Sequence, residues 1–340
     1  MILVTGAAGF IGSNFVRSWF LDTDEKVISF DCLTYAGNLL NLTDLEKNEN
    51  HTFINGDIAD SKKLSKILAE YQPRAVINFA AETHVDRSIE NPKTFLSTNV
   101  MGTYNLLEAC LEYWKDQNLK TKEKFCFLHI STDEVYGSLG PDENSFKETS
   151  QFRPNSPYSA SKASSDHLVR SFFKTFGLPT VTSNCSNNYG PFQFPEKLIP
   201  MTICNLLNEK DVPIYGDGKQ IRDWLHVFDH CEALKIILKN PKYGEVYNIG
   251  ASNEIQNLEV VRMICSVLDT RKPRSDSVKY EDLISFVEDR LGHDRRYSID
   301  SSKIKLELGW EPSKSFRAGI EETVQWYLDN LEWVKKISKQ

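Results

Sequence analysis

Three glycines near the start, Gly6, Gly9 and Gly12, constrain this chain more than any other feature of its sequence. They sit between an apolar run, Ile2-Leu3-Val4-Thr5, and an amphipathic stretch at residues 10–21, which read as a strand and a helix. A glycine-rich turn from strand to helix lets backbone approach a pyrophosphate. The helix N-terminus then offers free N–H groups and partial positive charge. Asp31 lies 19 residues beyond Gly12, at the end of a second apolar run over residues 26–30. A carboxylate there accepts hydrogen bonds from ribose hydroxyls and repels a 2′-phosphate, which favours NAD over NADP. Context separates this pattern from a chance glycine triplet: a strand precedes it and a helix follows.

Further apolar runs at residues 52–54, 75–79 and 125–130 alternate with helical patterns at 63–71 and 92–115. Runs apolar on both faces fit a parallel sheet buried between helices, so the expected class is α/β, a Rossmann-type doubly wound sheet. Ser156 and Pro157 signal the start of another helix, which ends at Gly177. Residues 179–185 read as a strand, and 116–124 as a polar surface loop. After Asn188 the periodicity loosens, yet residues 246–249 look like one more strand of the first lobe. At 340 residues the chain exceeds the roughly 250–300 at which single cores stop growing. We therefore expect a dinucleotide-binding domain over 1–186 plus about 225–250, and a smaller, discontinuous α/β substrate domain over about 187–224 plus 251–340.

A net charge of −7 argues against a general nucleic-acid partner, though local Lys and Arg can still meet a diphosphate. The seven cysteines show no CxxC spacing and read as reduced, buried thiols. The seven histidines show no ligand spacing, so no metal is expected. Met1 leads straight into a strand, and no apolar run approaches the roughly 18 residues that span a bilayer. A cytoplasmic protein without a membrane partner is the expectation.

Tyr158 and Lys162 stand four apart on the helix that starts at Pro157, so they share one face. A neighbouring ammonium favours phenolate, and a tyrosine so tuned can take a proton from an alcohol. Tyr-x-x-x-Lys alone is common. Thr132-Asp133-Glu134 gives it weight, because the triplet follows a strand at the sheet edge where ligands bind. Two adjacent acids in different environments can divide into a proton donor and a base. Asp57, after the third strand, is either an adenine contact or a helix cap.

Together these residues resemble the extended short-chain dehydrogenase/reductase superfamily, and within it the dTDP-glucose 4,6-dehydratases. The runs from Ala80 to Ser88, Ser183 to Pro191, Phe194 to Pro200, Gln220 to Trp224 and Asp289 to Tyr297 carry the closer likeness. Leu291 stands where that family usually has proline, and Thr83 where serine is common. The resemblance implies a catalytic set of Thr132, Asp133, Glu134, Tyr158 and Lys162. Around the cofactor it implies Gly6, Gly9, Phe10, Ile11 and Gly12, then Asp31, Cys32, Leu33 and Thr34, then Asp57 and Ile58. Phe79, Ala80, Ala81, Thr98, Tyr158, Lys162 and Asn188 complete that group. For the substrate it implies Thr83, Thr132, Asn187, Lys197 and Leu198, with Pro213 and Tyr215 along the base. Arg222, Asn257, Asp289, Arg290 and His293 lie toward the diphosphate. Taken alone, Lys197 and Arg222 read as solvated charges, and His84 and His293 as structural. The implied activity is loss of water from dTDP-glucose with a recycled NAD. Alternatives are a UDP-glucose dehydratase, an epimerase or decarboxylase on the same scaffold, or a non-enzymatic NAD sensor. The resemblance also implies a homodimer through paired helices near residues 98–115 and 157–176, with Leu168, Phe172 and Phe173 as apolar contacts.

Overall fold

The computed structural model describes residues 1–275 and 278–337. Within the expected second domain, residues 276–277 and 338–340 lie outside that description. The chain opens with β1 (Ile2–Thr5), α1 (Phe10–Asp22), β2 (Val27–Asp31), β3 (His51–Asn55), α2 (Ser61–Tyr71) and β4 (Ala75–Asn78). Then come α3 (Val85–Glu90), α4 (Pro92–Phe95), a π-helical segment (Leu96–Gly102), α5 (Thr103–Lys115), α6 (Leu119–Lys122) and β5 (Cys126–Thr132). A long helix, α7 (Pro157–Phe176), leads to β6 (Thr180–Cys185), β7 (Asn187–Tyr189), α8 (Leu198–Leu207), β8 (Val212–Tyr215) and β9 (Ile221–His226). The remainder is α9 (Val227–Lys239), β10 (Val246–Ile249), β11 (Glu254–Gln256), α10 (Asn257–Arg271), β12 (Ile284–Val287), α11 (Ser302–Leu308), α12 (Phe316–Asp329) and α13 (Leu331–Ile337).

Seven parallel strands form the main sheet in the order β10-β6-β5-β4-β1-β2-β3. This is the doubly wound order, and the strand order reverses between β1 and β4, where ligands bind in such sheets. β1 shows why its first three residues are all apolar. Ile2 and Val4 enter the core on one sheet face, and Leu3 enters the core on the other. β5 is buried along its whole length for the same reason. A third core joins α8, α10 and α12 under two small sheets, β11-β9-β7 and β12-β8. The C-terminal portion serves both lobes: Ile304 and Trp310 pack beside α9 in the first core, whereas Phe316 and Ile320 join the third.

Three local expectations change. The single helix over residues 92–115 is two α-helical pieces joined by the π segment, whose wider winding brings Thr98 to a cavity and leaves Asn99 to bond Glu82 N and the Ser161 hydroxyl. The loop at 116–124 contains α6, started by an Asn118 cap. Phe172 is buried in the core between α5 and α7, and Leu168 packs partly buried against it. The start of α7 forms as read: Ser156 and Ser159 cap each other, Pro157 follows, and Gly177 closes the helix in the left-handed region.

Candidate active site

Two cavities meet at the carboxyl edge of the main sheet. The first, of about 230 Å³, lies over the β1–α1 turn. Gly6 has φ +65°, and a Cβ there would stand 2.6 Å from Ala80 N. A Cβ on Gly12 would stand 2.2 Å from the Gly6 carbonyl oxygen. Both glycines are thus required by close backbone approach. Gly9 caps α1 without a side-chain hydrogen bond, which leaves the first-turn N–H groups to a ligand. Asp31 receives Ala8 N at 2.9 Å and Leu33 N at 2.8 Å. Burial raises the Asp31 carboxyl and those two N–H groups oppose the rise, so the carboxylate is fixed facing the pocket.

Phe10, Ile11, Cys32, Thr34, Asp57, Ile58, Phe79, Ala80, Ala81, Thr98, Tyr158 and Lys162 also line this pocket. Two expected members do not. Leu33 acts through its N–H to Asp31, at φ +54°, while its side chain packs on the core. Asn188 lines the neighbouring cavity instead. Asp57 is not the cap of α2; Asp60 is, through Lys63 N, and Asp57 holds the turn by accepting Ala59 N. Cys32 is exposed here, unlike the other six thiols, which are buried and unpaired. A flat apolar and glycine wall, donor N–H groups at one end and a fixed carboxylate at the other fit a dinucleotide.

The second cavity, of about 530 Å³, is lined by charged side chains from both lobes. The cavities share Phe10, Ile11, Thr83, Tyr158, Gln193, Glu196 and Lys197. Tyr158 therefore stands where the two ligands would touch. Its hydroxyl lies near Thr132, which lines the same cavity. Lys162 faces the first cavity and donates to the Ile130 carbonyl at 2.8 Å. Burial pushes the Tyr158 phenol well above its ordinary range, with Glu134 adding to the effect. The lowered phenol expected from the spacing is thus not produced by these two residues alone, because desolvation of both outweighs their attraction.

Asp133 and Glu134 follow β5 in a short 3₁₀ turn that the Thr132 hydroxyl caps. Asp133 is buried, and its Oδ2 has no protein partner. Burial, then the charges of Glu134 and Asp223, lift its carboxyl well above the usual range. Burial lifts Glu134 too, but Lys197 and Arg222 pull against that. The two acids therefore occupy different electrostatic settings, as an acid and a base must.

Lys197 is partly buried and donates to the Thr83 carbonyl at 2.7 Å. Arg222 is buried over the Tyr297 ring at 4.2 Å, with hydrogen bonds to the carbonyls of Ile221 and Asp294. Neither is the solvated charge its sequence context suggests. Arg290 makes a bidentate pair with Asp86 and so ties the two lobes across the cavity. Asn187, Leu198, Pro213, Tyr215, Asn257 and His293 line the cavity, and the Asn187 and Asn257 carbonyl oxygens lack protein donors. Asp289 does not line it. It sits behind, accepting Gln220 Nε2 at 3.1 Å and facing His293 Nδ1 at 2.6 Å. Sequence reasoning also missed Glu196, which receives the Tyr35 hydroxyl and faces His84 at 3.7 Å. Burial and Lys197 push His84 down to about 4, so it meets Glu196 as a neutral ring. Glu196 lies inside the run from Phe194 to Pro200, but nothing local in that run distinguishes it from a surface acid.

Fold and site together define an enzyme of the extended short-chain dehydrogenase/reductase class, with a tyrosine–lysine pair between a dinucleotide pocket and a charged cavity. Residues 3–323 match the family described as GDP-mannose 4,6 dehydratase, and the chain belongs to that family. It is 56% identical over 335 residues to the dTDP-glucose 4,6-dehydratase of Xanthomonas campestris pv. campestris, covering 98% of this chain and 95% of that one. The dTDP-glucose 4,6-dehydratase of Bacillus anthracis, solved in complex with NAD, superposes with a TM-score of 0.87 at 45% identity over 99% of both chains. The Streptomyces venezuelae dTDP-glucose 4,6-dehydratase with NAD and TYD bound gives 0.88 at 42%, again over 99% of both. The resemblance read from the sequence is borne out.

Proposed function

We propose that this chain converts dTDP-glucose to the 4-keto-6-deoxy sugar nucleotide with loss of water, using NAD that stays bound and is regenerated. One observation carries the reading. The Asp133–Glu134 pair, its aspartate buried, lines the same cavity as Tyr158, next to the dinucleotide pocket. A 4-epimerase or a decarboxylase needs the tyrosine and the lysine but has no use for an acid–base pair beside them. A sensor needs neither.

Bound NAD supplies a hydride acceptor for C4 and, once reduced, a hydride donor for C6. The chain's residues handle the protons. Thr132 holds the C4 hydroxyl against Tyr158, which removes its proton, and the Lys162 cation stabilises the phenolate. The ketone formed at C4 acidifies the proton on C5. Glu134 removes that proton, its negative form favoured by Lys197 and Arg222. Asp133, held protonated by burial and by its acidic neighbours, delivers a proton to the C6 hydroxyl, which leaves as water. Arg222, Lys197 and Arg290 supply positive charge for the diphosphate. Tyr215 and Pro213 form the wall beside the base.

The test is a product assay on the purified protein with dTDP-glucose and UDP-glucose in separate reactions, without added NAD. Keto product from dTDP-glucose is the expected result. Preference for UDP-glucose would move the assignment to the uridine enzyme, and no product from either sugar with NAD supplied would end the dehydratase reading.

A further inference from the structure

Behind Tyr158 and Lys162 lies a buried polar chain that the proposed chemistry leaves without a task. Asp166 is buried one helical turn beyond Lys162 on α7. Its Oδ2 accepts the Ser131 hydroxyl at 2.9 Å and the Asn184 amide at 3.1 Å. Its Oδ1 lies 3.4 Å from Nε2 of the fully buried His129, and neither atom has a hydrogen-bond partner. The other ring nitrogen of His129 lies 3.3 Å from the Asn78 amide nitrogen, which can only donate. The proton of a neutral His129 therefore sits on Nε2, on the side of Asp166. Asn78 is oriented in turn by the Thr5 hydroxyl at 2.7 Å, one residue before Gly6. This chain runs through β1, β4 and β5 to α7, and its members His129 and Ser131 flank Ile130, whose carbonyl receives Lys162.

We infer that Asp166, aimed by His129, Ser131 and Asn184, is a positioning residue that keeps Lys162 a cation for use by Tyr158. A carboxylate in a core is costly, and apolar residues of similar volume would hold these elements together as well. Its place beside a buried lysine accounts for it. Burial drives Lys162 toward the neutral amine, and Asp166 leads the opposition, followed by Cys185. Asp166 does this through space. The ammonium stays bonded to Ile130 and lines the dinucleotide pocket, so its charge is not neutralised by direct pairing. The titratable groups around Lys162 are Tyr158 and Asp166 on α7, His129 on β5 and Cys185 on β6, with Asp133 just beyond β5. Among them Asp166 is the carboxylate behind the lysine, away from the reacting sugar.

The inference rests on the proposed dehydration, so product formation by the unaltered enzyme is the first control. Failure there removes the functional reading and is distinguishable from a failure of the Asp166 variant. Asp166→Asn keeps the shape and removes the charge. Lys162 then loses its proton more readily, and Tyr158 becomes harder to ionise. The kcat at neutral pH should fall about tenfold, the low-pH limb of the kcat profile should move up by about one unit, and KM should change little. Raising the pH should restore most of the rate. The sign decides the matter. If Lys162 kept its charge without help, removal of a nearby negative group would move that limb down. A limb that moves down, or a loss of melting temperature with an unmoved profile, overturns the inference. Should Asp166→Asn fail to fold, Ser131→Ala removes one hydrogen bond to the carboxylate. It should move the limb upward by less, and an unchanged limb would count against the proposal equally.

Discussion

The dinucleotide pocket draws Gly6, Gly9, Gly12 and Asp31 from a single β1–α1–β2 unit, whereas the neighbouring cavity draws Glu134, Lys197, Arg222 and Arg290 from four separated segments. The first is made mainly of backbone: close approach at Gly6 and Gly12, free N–H groups in the first turn of α1, and one carboxylate clamped by two amides. Its phosphate turn and ribose carboxylate lie within one local unit, although β4 and α7 complete its walls. The second is made of side-chain charge held out of water, and it needs both lobes. The Asp86–Arg290 pair joins residues far apart in the chain. One region therefore binds by geometry, and the other acts by electrostatic settings that cost stability.

That contrast can be broken by experiment. The largest effect is expected from Glu134→Gln in the charged cavity. It should reduce overall turnover by about 10²–10⁴-fold while hydride transfer to the bound dinucleotide persists, seen in single turnover as near-ultraviolet absorbance of the reduced cofactor. Normal dehydration by this variant would show that the charge setting around Glu134 is idle. On the other side, Gly6→Ala puts a Cβ within 2.7 Å of the Phe79 carbonyl carbon at a left-handed backbone position. Strain of about 1–3 kcal/mol should weaken NAD binding about tenfold or more, measured by calorimetry and by the dinucleotide that copurifies. Unchanged retention would mean that backbone approach does not define that pocket.

The smallest effect concerns stability. The Asp133 carboxyl is raised in the folded protein by burial and by Glu134 and Asp223. A carboxyl whose folded pKa lies above its unfolded value, about 3.9, costs nothing below that value and an increasing amount as pH rises past it. Asp133→Asn should therefore raise the melting temperature at neutral pH by about 2–4 °C and leave it unchanged near pH 3, while activity falls. A variant less stable than the parent at neutral pH would show that Asp133 is a support rather than a strained acid.

Much of the fold is legible in the sequence because its signals are local. Strand β1 is apolar on both faces, the Ser156-Pro157 start and Gly177 end of α7 rest on capping chemistry, and Tyr158 and Lys162 share a face at any four-residue spacing in a helix. The misplacements also have physical causes. Leu33 groups with Asp31 by adjacency in sequence, yet the bend at φ +54° turns its side chain into the core. Asp57 and Asp60 compete for one cap, and only backbone geometry chooses between them. Phe172 belongs to an apolar stripe that looks the same whether it meets a second subunit or the chain's own α5, and here it is buried against α5.

By itself the sequence determined the glycine turn, its acidic partner, the parallel sheet and the tyrosine–lysine pair, since each depends on neighbours within about one helical turn or one βαβ unit. Tertiary structure alone decided that Glu134 faces Lys197 and Arg222, that Arg290 spends its fork on Asp86, and that Asp166 stands with His129 behind Lys162. These are charges brought together from distant parts of the chain. Their pKa values depend on burial and on one another, which a linear sequence does not express.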